Sequence, residues 1–372
     1  MSRSEPSDAR FMRLALALGR RALGNAWPNP AVGAVIVRDD GAGPVIVGRG
    51  WTQPGGRPHA ETEALRRAGA AARGAVLYAT LEPCSHHGKT PPCVDAIIAA
   101  GIARVVSAIE DPNPQVAGRG HARLAAAGIA VAVGVGAEDA ARAHAGHIRR
   151  MRDNRPHVML KLAVSADGKA GLSGGRPAAI TGPAARDRVH MMRAASDAIL
   201  IGIGTALADD PLLTCRLPGL ASRSPVRVVL DGKLGLPVVS RLVRTARDTP
   251  LWVIGAPSAS PAADQALRAH GVAVFRLDAV AGKLDLAEAL GLLAGRGITR
   301  LMVEGGPAVA ASFVAADLVD EATLFRSPNT IGGEGVDALD GLPLTALTQS
   351  PRLMSCGIVP LGADAMETFA RA

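Results

Sequence analysis

The feature that most constrains this chain is a pair of cysteines downstream of a His-x-Glu motif. The segment LEPCSHHGKTPPC places eight residues, two of them prolines, between Cys84 and Cys93. Upstream, GGRPHAETEALRRAG contains His59 and Glu61. A catalytic zinc ion takes three protein ligands and keeps a fourth position for water, and one imidazole with two thiolates satisfies that requirement. The sequence therefore predicts a zinc site formed by His59, Cys84 and Cys93.

Glu61 is predicted to carry protons at this site rather than to bind the metal. It would take a proton from zinc-bound water and deliver it to a ring nitrogen, and then to departing ammonia. The residues match the H-x-E and P-C-x-x-C signature of zinc deaminases, except that eight residues rather than two separate the cysteines. We expect Pro83 to begin a helix or turn at Cys84, the strand AVLYATLEPC to end there, and Cys93 to open the next helix.

Other interpretations of these residues have to be weighed. His86 and His87 lie between the cysteines and are rival ligands, although their position favours contact with substrate or solvent. A purely structural zinc site is a further alternative, and Glu61 beside the open position argues against it. Cys215 and Cys356 stand alone in the sequence, and a lone cysteine is typically buried as part of the core.

Length and composition indicate a two-domain α/β protein of the cytoplasm. The chain has 372 residues, and its apolar residues occur in short runs broken by 43 Gly and 26 Pro. No apolar run approaches the ~18 residues of a membrane span. The segment FMRLALALGRRALG predicts an amphipathic first helix, with a secretion signal as the alternative. Four cysteines do not make an extracellular disulfide framework, so the cytoplasm is the expected compartment.

The positive charge of the chain is concentrated in its first part. Residues 1–150 hold 18 Lys and Arg against 12 Asp and Glu, whereas residues 151–372 hold 23 against 21. Because these basic residues are scattered, they indicate a solvated surface that also attracts anionic small molecules. Charge alone does not argue for a nucleic-acid partner.

The first part of the chain resembles a known family. PNPAVGAVIV, GRPHAETEAL, LEPCSHHGKTPPC and DPNPQVAGRG are similar to the deaminase half of the bifunctional riboflavin-biosynthesis family RibD, over nearly all of residues 10–150. The resemblance implies a cytidine-deaminase-like α/β/α sandwich that deaminates 2,5-diamino-6-(5-phosphoribosylamino)pyrimidin-4(3H)-one. It also assigns Asn29 to substrate binding, where turn chemistry alone would make it a turn residue.

A second domain is predicted to follow a charged, proline-containing junction, giving domains of residues 1–152 and 153–372. Strand-like runs such as DAILIGIG, PVRVVLD, PLWVIGA and ITRLMVEGG alternate with helix-like segments, which predicts a mainly parallel sheet covered by helices. Two glycine-bearing strand ends are candidate phosphate sites. The one at Gly202 to Thr205 is weak, and the one at Val303 to Pro307 opens a helix whose N–H groups suit a diphosphate or a simple glycine turn.

The second part resembles the reductase half of the same family. KLAVSADGK, ITGPAARDRVHMMRAASDAILIGIGTALADDPLLTCR and VEGGP carry this similarity, across most of residues 155–360. It implies a dihydrofolate-reductase-like α/β domain that uses NADPH to reduce the ribose of 5-amino-6-(5-phosphoribosylamino)uracil. By position, the resemblance assigns to NADPH Ala163, Thr205, Asp209, Gly306 and Pro307. It assigns to the substrate Arg193, Leu213, Arg216 and Glu304.

Simpler interpretations exist for some of these residues, and the chain departs from the family at two positions. Arg193 could form an ion pair on a helix surface, and Asp209 could belong to a helix stop at Asp210. Ala179 stands before Ile-Thr where the family commonly has a tryptophan, and Pro177 stands where it often has a substrate-binding serine. These two differences leave open an impaired reductase half.

The sequence thus predicts a two-headed enzyme that acts on phosphorylated pyrimidines, with no nucleic-acid or membrane partner. The resemblance also suggests a homo-oligomer. The main alternative is a nucleic-acid base deaminase with an accessory C-terminal binding domain. Such an enzyme needs aromatic residues for base stacking, and aromatics make up only 2% of this chain. A regulatory protein with a structural zinc would leave Glu61 and the two glycine-bearing strand ends without a purpose.

Overall fold

The computed structural model describes residues 6–173, 179–280 and 283–371, and the chain divides into two compact units, Met1–Arg155 and Pro156–Ala372. The helices of the first unit are α1 (Pro6–Gly19), α2 (Ala60–Ala68), α3 (Cys93–Ala99), α4 (Arg119–Ala126), α5 (Ala137–Ala143) and α6 (Ala145–Asp153). Its strands are β1 (Gly33–Asp39), β2 (Pro44–Trp51), β3 (Val76–Ala79), β4 (Arg104–Ser107) and β5 (Ala130–Val133).

The strands of the first unit form one sheet in the order β2-β1-β3-β4-β5. Strand β1 is antiparallel to both of its neighbours, whereas β3, β4 and β5 run parallel. Side chains alternate between the two faces of each strand. Ala34 and Ile36 therefore pack with helices α2 and α3, while Val35 and Val37 pack with α1 and α5. This is the α/β/α sandwich that was predicted.

Helix α2, which carries Glu61, lies unusually close to strand β2. A side-chain Cβ at Gly50 would stand 2.1 Å from the carbonyl oxygen of Ala60, and one at Gly48 would stand 2.4 Å from that of Ala64. Only glycine permits this approach, because any larger residue would push the helix away. The two glycines of VGRG therefore fix the depth of α2, and with it the start of the helix at the predicted metal site.

The second unit contains the following elements. Its helices are α7 (Pro183–Ala194), α8 (Ile203–Asp209), α9 (Arg241–Arg244), α10 (Pro261–Ala269), α11 (Leu286–Gly295), α12 (Pro307–Ala315) and α13 (Thr345–Thr348). Its strands are β6 (His157–Val164), β7 (Lys169–Leu172), β8 (Ala198–Gly202), β9 (Val226–Leu230), β10 (Leu251–Gly255), β11 (Ala273–Arg276), β12 (Ala279–Val280), β13 (Lys283–Leu284), β14 (Arg300–Val303), β15 (Glu321–Arg326), β16 (Gly335–Asp337), β17 (Leu353–Leu361) and β18 (Asp364–Arg371).

The second unit is built on a nine-stranded sheet in the order β11-β10-β9-β8-β14-β6-β15-β18-β17. The strands are parallel from β11 to β15, and β18 and β17 join as antiparallel strands. Ile199 and Val229 face one apolar cluster, while Met302 and Phe325 face another that includes α7. The mainly parallel sheet predicted from the alternating elements is confirmed. Two small ribbons, β12-β13 and β16-β7, lie outside this sheet.

Some boundaries differ from those that the sequence predicts. Strand β3 ends at Ala79, five positions before Cys84, because its parallel pairing with β4 ends there. No helix or turn begins at Cys84, whose segment is irregular. Strand β8 ends at Gly202, so the following Gly204 and Thr205 belong to helix α8. The predicted first helix is present as α1, and no helix among the described residues is long and apolar enough to cross a membrane.

Candidate active sites

His59, Cys84 and Cys93 converge in the first unit, and their ligand atoms all lie within 4.8 Å of one another. Nδ1 of His59 lies 3.5 Å from Sγ of Cys84 and 3.3 Å from Sγ of Cys93. A tetrahedral zinc ion, with Zn–S of about 2.3 Å and Zn–N of about 2.0 Å, places such nitrogen and sulfur atoms about 3.5 Å apart. The geometry and the chemistry of the donor set therefore both fit zinc.

Local structure explains why these three side chains meet. His59 is the residue that precedes helix α2, and Cys93 is the first residue of helix α3, as predicted. The N–H group of Cys93 donates to Sγ of Cys84 at 3.3 Å, and that of Val94 donates to the carbonyl oxygen of Cys84. Helix N-termini stabilise negative charge, so the start of α3 is a favourable place for a thiolate.

The ionisation of the two thiols is strongly linked. The Cys93 thiol and His59 lower the pKa of Cys84 to about 4, although burial opposes them. The adjacent Cys84 sulfur, together with burial, raises the pKa of Cys93 well above its usual value. The same Cys84 sulfur raises the pKa of His59. Two sulfur atoms this close favour a single negative charge unless a cation is shared between them, which is the situation at a zinc site.

Glu61 lies in the first turn of helix α2, beside the three candidate ligands. The residue is only 3% exposed. Burial raises the pKa of its carboxyl group to about 7, with the charge of His59 opposing that shift. A carboxyl group with a pKa near 7 can both accept and donate a proton at neutral pH, which is the property that proton transfer in catalysis requires.

A cavity of about 170 Å³ opens onto this centre, and both His59 and Glu61 line it. Asn29 also lines the cavity, where its amide nitrogen lies 3.2 Å from Nε2 of His59 and donates to the carbonyl oxygen of Gly56. Of the two rival ligands, His86 lines the cavity, and neither histidine belongs to the His59, Cys84 and Cys93 cluster. The structure thus brings the predicted residues of the first unit to one place.

Sequence reasoning missed other residues of this cavity. Arg57 and Arg150 contribute cationic side chains, and His147 pairs with Asp111 through Nε2 and Oδ1 at 3.0 Å. The arginines could not be singled out because arginines are scattered along the first part of the chain. Asp111 stands in DPNPQVAGRG, one of the segments that carries the family resemblance, and this was a usable signal.

The second unit has a larger cavity, of about 650 Å³, at the carboxyl ends of strands β6, β8 and β14. In open α/β sheets, ligands bind at this edge of the strands. All the residues predicted to hold the cofactor line it, namely Ala163, Thr205, Asp209, Gly306 and Pro307. Strand order places β14 between β6 and β8, which explains why residues distant in sequence share the cavity.

The two glycine-bearing strand ends meet in this cavity. The hydroxyl oxygen of Thr205 in α8 accepts a hydrogen bond from the N–H group of Gly306 at 2.9 Å. Gly306 precedes α12, whose first residue is Pro307. Asp209 is the last residue of α8, and Asp210 has a φ of +38° that ends the helix, so the helix stop is also present. Burial raises the pKa of Asp209.

Glu304 and Arg193 form a nearly buried, two-bonded ion pair. Nε and Nη2 of Arg193 donate to the two carboxylate oxygens of Glu304 at 2.8 and 2.9 Å. The side chain of Arg193 is 12% exposed and that of Glu304 is 9% exposed, so the pair does not lie on a helix surface. Burial alone would raise the pKa of Glu304, but the charges of Arg193 and Lys161 outweigh it and hold that pKa below its usual value.

Lys161 is the main residue of this cavity that sequence reasoning missed. It lies on β6, lines the cavity, and has its pKa lowered by burial in spite of the opposing charge of Glu304. A single lysine inside the apolar run HVMLKLAVS was the available signal, because an ionisable side chain in such a strand has to be accommodated by a partner or a cavity.

Of the four residues predicted to bind the substrate of this half, only Glu304 lines the described cavity. Leu213 is 3% exposed and packs in the apolar core with Ile199, at a φ of +55°. Arg193 and Arg216 are absent from the residues lining the described cavity, although Arg193 reaches it through Glu304. Ala179 is exposed, and Pro177 lies outside the described residues.

The two cysteines that stand alone in the sequence have different environments in the structure. Cys215 is buried, as predicted, at 2% exposure. Cys356 is exposed on strand β17, so the prediction that it is buried in the core was wrong. Strand β17 is the edge of the sheet and its residues are largely exposed, which leaves no core for this side chain to enter.

Fold and sites together define a two-domain enzyme that joins a zinc-type deaminase to a reductase. The profile for the cytidine and deoxycytidylate deaminase zinc-binding region matches residues 5–109, and the profile for the RibD C-terminal domain matches residues 156–365. The chain belongs to the RibD family of bifunctional riboflavin-biosynthesis enzymes. It is therefore both a hydrolase and an oxidoreductase, and the fold class predicted for each half is confirmed.

Full-length relatives support this membership. The riboflavin biosynthesis protein RibD of Escherichia coli K12 is 40% identical over 370 residues, covering 96% of this chain and 97% of the relative. That of Bacillus amyloliquefaciens is 41% identical over 355 residues, covering 95% and 94%. A solved structure of Acinetobacter baumannii RibD superposes with a TM-score of 0.86 at 34% identity, covering 98% and 99%. A Thermotoga maritima structure described as a diaminohydroxyphosphoribosylaminopyrimidine deaminase and 5-amino-6-(5-phosphoribosylamino)uracil reductase gives 0.84 at 34% identity, with the same coverage.

Proposed function

We propose that this chain deaminates 2,5-diamino-6-(5-phosphoribosylamino)pyrimidin-4(3H)-one in its first unit. Its second unit then reduces the ribose of 5-amino-6-(5-phosphoribosylamino)uracil to the ribityl form with NADPH. The observation that carries the proposal is the conjunction in one cavity of a zinc-compatible ligand set with the buried carboxyl group of Glu61. The name of the Thermotoga relative supports the choice of substrates.

His59, Cys84 and Cys93 hold the zinc ion of the deaminase site. When bound, zinc supplies a water whose pKa is lowered to near 7. The chain's own contribution is to fix the three ligands. His59 is fixed at the start of α2, Cys93 at the start of α3, and Cys84 by the N–H group that Cys93 donates to its sulfur.

Glu61 carries the protons of the deamination. Its carboxylate takes a proton from the attacking water and passes it to the ring nitrogen next to the reacting carbon, while the water oxygen bonds to that carbon. The second proton of the water then passes through Glu61 to the amino group, and the C–N bond breaks to release ammonia. Burial favours this role because it raises the pKa of the carboxyl group, which makes the carboxylate a better proton acceptor. Asn29 orients the pyrimidine through its amide, which already lies in the cavity beside His59.

NADPH binds in the second cavity, where Ala163, Thr205, Asp209, Gly306 and Pro307 line one continuous surface. Helix α12 begins at Pro307, and the positive dipole end at its N-terminus suits the diphosphate. Thr205 holds the Gly306 turn in place through its hydroxyl oxygen. The cofactor supplies the hydride, and the chain positions it against the sugar.

The substrate of the reductase half is held next to Glu304. Glu304 is itself oriented by Arg193. Because Nε and Nη2 of this arginine bind the carboxylate, they do not bind the phosphate of the substrate. Arg216 supplies a cation for the phosphate, and Leu213 contributes through its main chain, because its side chain is in the core. Ala179 and Pro177 stand in the sequence where the family has two further contacts, and we expect reduction to proceed with the residues that line the cavity.

The enzyme is a cytoplasmic homo-oligomer whose partners are small phosphorylated pyrimidines. The paucity of aromatic residues disfavours the alternative of a nucleic-acid base deaminase, because stacking platforms for flipped bases would be missing. The absence of a disulfide framework in the sequence favours a reducing compartment.

Two separate assays test the proposed function. We expect ammonia release from the diaminopyrimidine phosphate without NADPH, and NADPH oxidation only when the deaminated product is supplied. Cytidine and tRNA serve as comparison substrates and should release no ammonia. Ammonia from tRNA or cytidine, with none from the pyrimidine phosphate, would reject the proposal.

Glu304→Gln should impair reduction alone. Removing the charge leaves Arg193 nearly buried without its anionic partner, and breaking such a pair costs about 3 kcal/mol or more. We therefore expect the reductase kcat/KM to fall at least ~10-fold, while the deaminase rate is unchanged. Glu367→Gln is the matched control, because Glu367 pairs with Arg326 away from the cavity. Equal reductase rates in both variants would show that Glu304 has no role in reduction.

A further inference from the structure

Glu82 is a buried glutamate that the proposed mechanism does not use. Its side chain has no exposed surface, and it lies two residues before Cys84, at the start of the segment that contains both cysteines. A buried carboxylate is costly unless its oxygens are hydrogen-bonded, so its partners indicate its role.

The hydrogen-bond partners of Glu82 are four main-chain N–H groups, two from the loop before helix α4 and two from its first turn. Oε2 accepts from Asp111 at 3.2 Å and from Gly118 at 3.0 Å. Oε1 accepts from Gly120 at 2.8 Å and from His121 at 3.3 Å. Both ends of the 111–121 segment are thereby fastened to one carboxylate, and hydrogen bonds to a charged acceptor are stronger than neutral ones.

The segment has a backbone shaped for this attachment. Gly118 has a φ of +72°, and a Cβ at Gly120 would stand 2.2 Å from the carbonyl oxygen of Pro83 and 3.0 Å from Oε1 of Glu82. Helix α4 begins at Arg119, so Glu82 also satisfies the unpaired N–H groups of its first turn. The GRG of DPNPQVAGRG and the Glu of LEPC are therefore two parts of one junction.

The fastened segment forms part of the deaminase cavity. Asp111, Asn113 and Val116 line it, and Asp111 accepts from the N–H group of Asn113 at 2.8 Å and pairs with His147, another cavity residue. The segment contains none of the three candidate metal ligands and lies apart in sequence from Glu61. Its position is therefore expected to govern how the substrate is held rather than the chemical step.

We propose that Glu82 is a positioning residue of the deaminase site, which sets the substrate-binding wall formed by residues 111–116. The inference rests on the proposed deaminase function. It assigns to the carboxylate the task of fastening the main chain, since its oxygens accept from four N–H groups, with the ring of His121 beyond them at 3.9 Å.

The test compares Glu82→Gln with the control Glu110→Gln in the full-length enzyme. Glutamine keeps the shape but presents an amide N–H₂ where an oxygen now accepts, so part of the junction is lost. We expect the KM for the diaminopyrimidine phosphate to rise about 10- to 100-fold, with kcat within about threefold, as for a displaced binding wall. Zinc content and the reductase rate should equal those of the unchanged enzyme. Glu110 is exposed beside the same loop, and its variant should behave as the unchanged enzyme does.

A second variant guards against misfolding. Gly120→Ala keeps Glu82 but crowds the same junction from the loop side, and the KM should again rise more than kcat falls. If Glu82→Gln folds poorly, Gly120→Ala supplies the test. An unchanged KM, or a loss confined to kcat, overturns the inference. Failure of the proposed function itself looks different, because the unchanged enzyme would then release no ammonia.

Discussion

Replacing Glu61 by glutamine is expected to abolish deamination while leaving the metal bound and reduction intact. The amide cannot accept and return a proton, and loss of a positioned acid–base group typically costs 10²- to 10⁴-fold, so we expect a loss of about 10³-fold or more in kcat. Reduction is unaffected because its cavity is lined by residues of the second unit. Ammonia release and NADPH oxidation, measured on the same preparation, provide the two readings.

Glu63→Gln is the matched control for this experiment. Glu63 lies on the same helix and is also buried, but its carboxylate pairs with Arg66 and Arg67 and does not line the cavity. Its variant should keep a deaminase rate close to that of the unchanged enzyme. If Glu61→Gln retained the full rate, or if both variants lost it equally, Glu61 would not be the proton carrier.

Cys93→Ser is expected to remove the metal and deamination together. A serine hydroxyl does not ionise near neutral pH and is a poor zinc ligand, so the site would retain one thiolate and one imidazole. We expect metal content far below that of the unchanged enzyme and a deaminase rate lower by at least ~100-fold, with reduction preserved. Metal analysis and the two assays measure these effects.

Cys356→Ser controls for the loss of a sulfur atom as such. Cys356 is exposed on an edge strand, far from any of the candidate ligands in sequence. Its variant should retain metal and both activities. A Cys93→Ser enzyme with a full complement of zinc would show that this cysteine is not a ligand.

The deaminase ligand set could be predicted because its chemistry is concentrated in short motifs. An imidazole, two cysteines and a carboxyl group have few common purposes, and proline and helix-start signals placed them on local structure. Cys93 at the first position of α3 is an example. The segment around Cys84 was less predictable, since β3 ends at Ala79 and an irregular chain continues to the cysteine. Irregular structure is fixed by tertiary hydrogen bonds, which have no periodicity in the sequence.

Residues whose contacts depend on the tertiary structure could not be predicted from the sequence. The pairing of Arg193 with Glu304, and the place of Lys161 beside them, depend on strand β14 lying between β6 and β8. Sheet order is a long-range property, and neither the alternation of elements nor a glycine motif specifies it. Glu82 was hidden for a related reason, because its four hydrogen-bond partners are main-chain N–H groups that lie 29 to 39 positions further along the chain.

In the reductase half, the family resemblance assigned the cofactor residues, and the structure shows where their side chains lie. The resemblance assigned Thr205, Asp209 and Gly306 to one cofactor site, and in the structure all three line one cavity. Leu213 illustrates the limit of such transfer. Its side chain is in the core, so a contact with substrate there has to come from the main chain.

The central claim is that His59, Cys84 and Cys93 hold one metal ion beside Glu61. The most direct test is elemental analysis of the full-length protein, purified without chelators and assayed for ammonia release before and after the metal is removed and restored. We expect about one zinc ion per chain, loss of deamination when the metal is removed and recovery when it is restored. Protein that contains no tightly bound transition metal and deaminates at the full rate would contradict it.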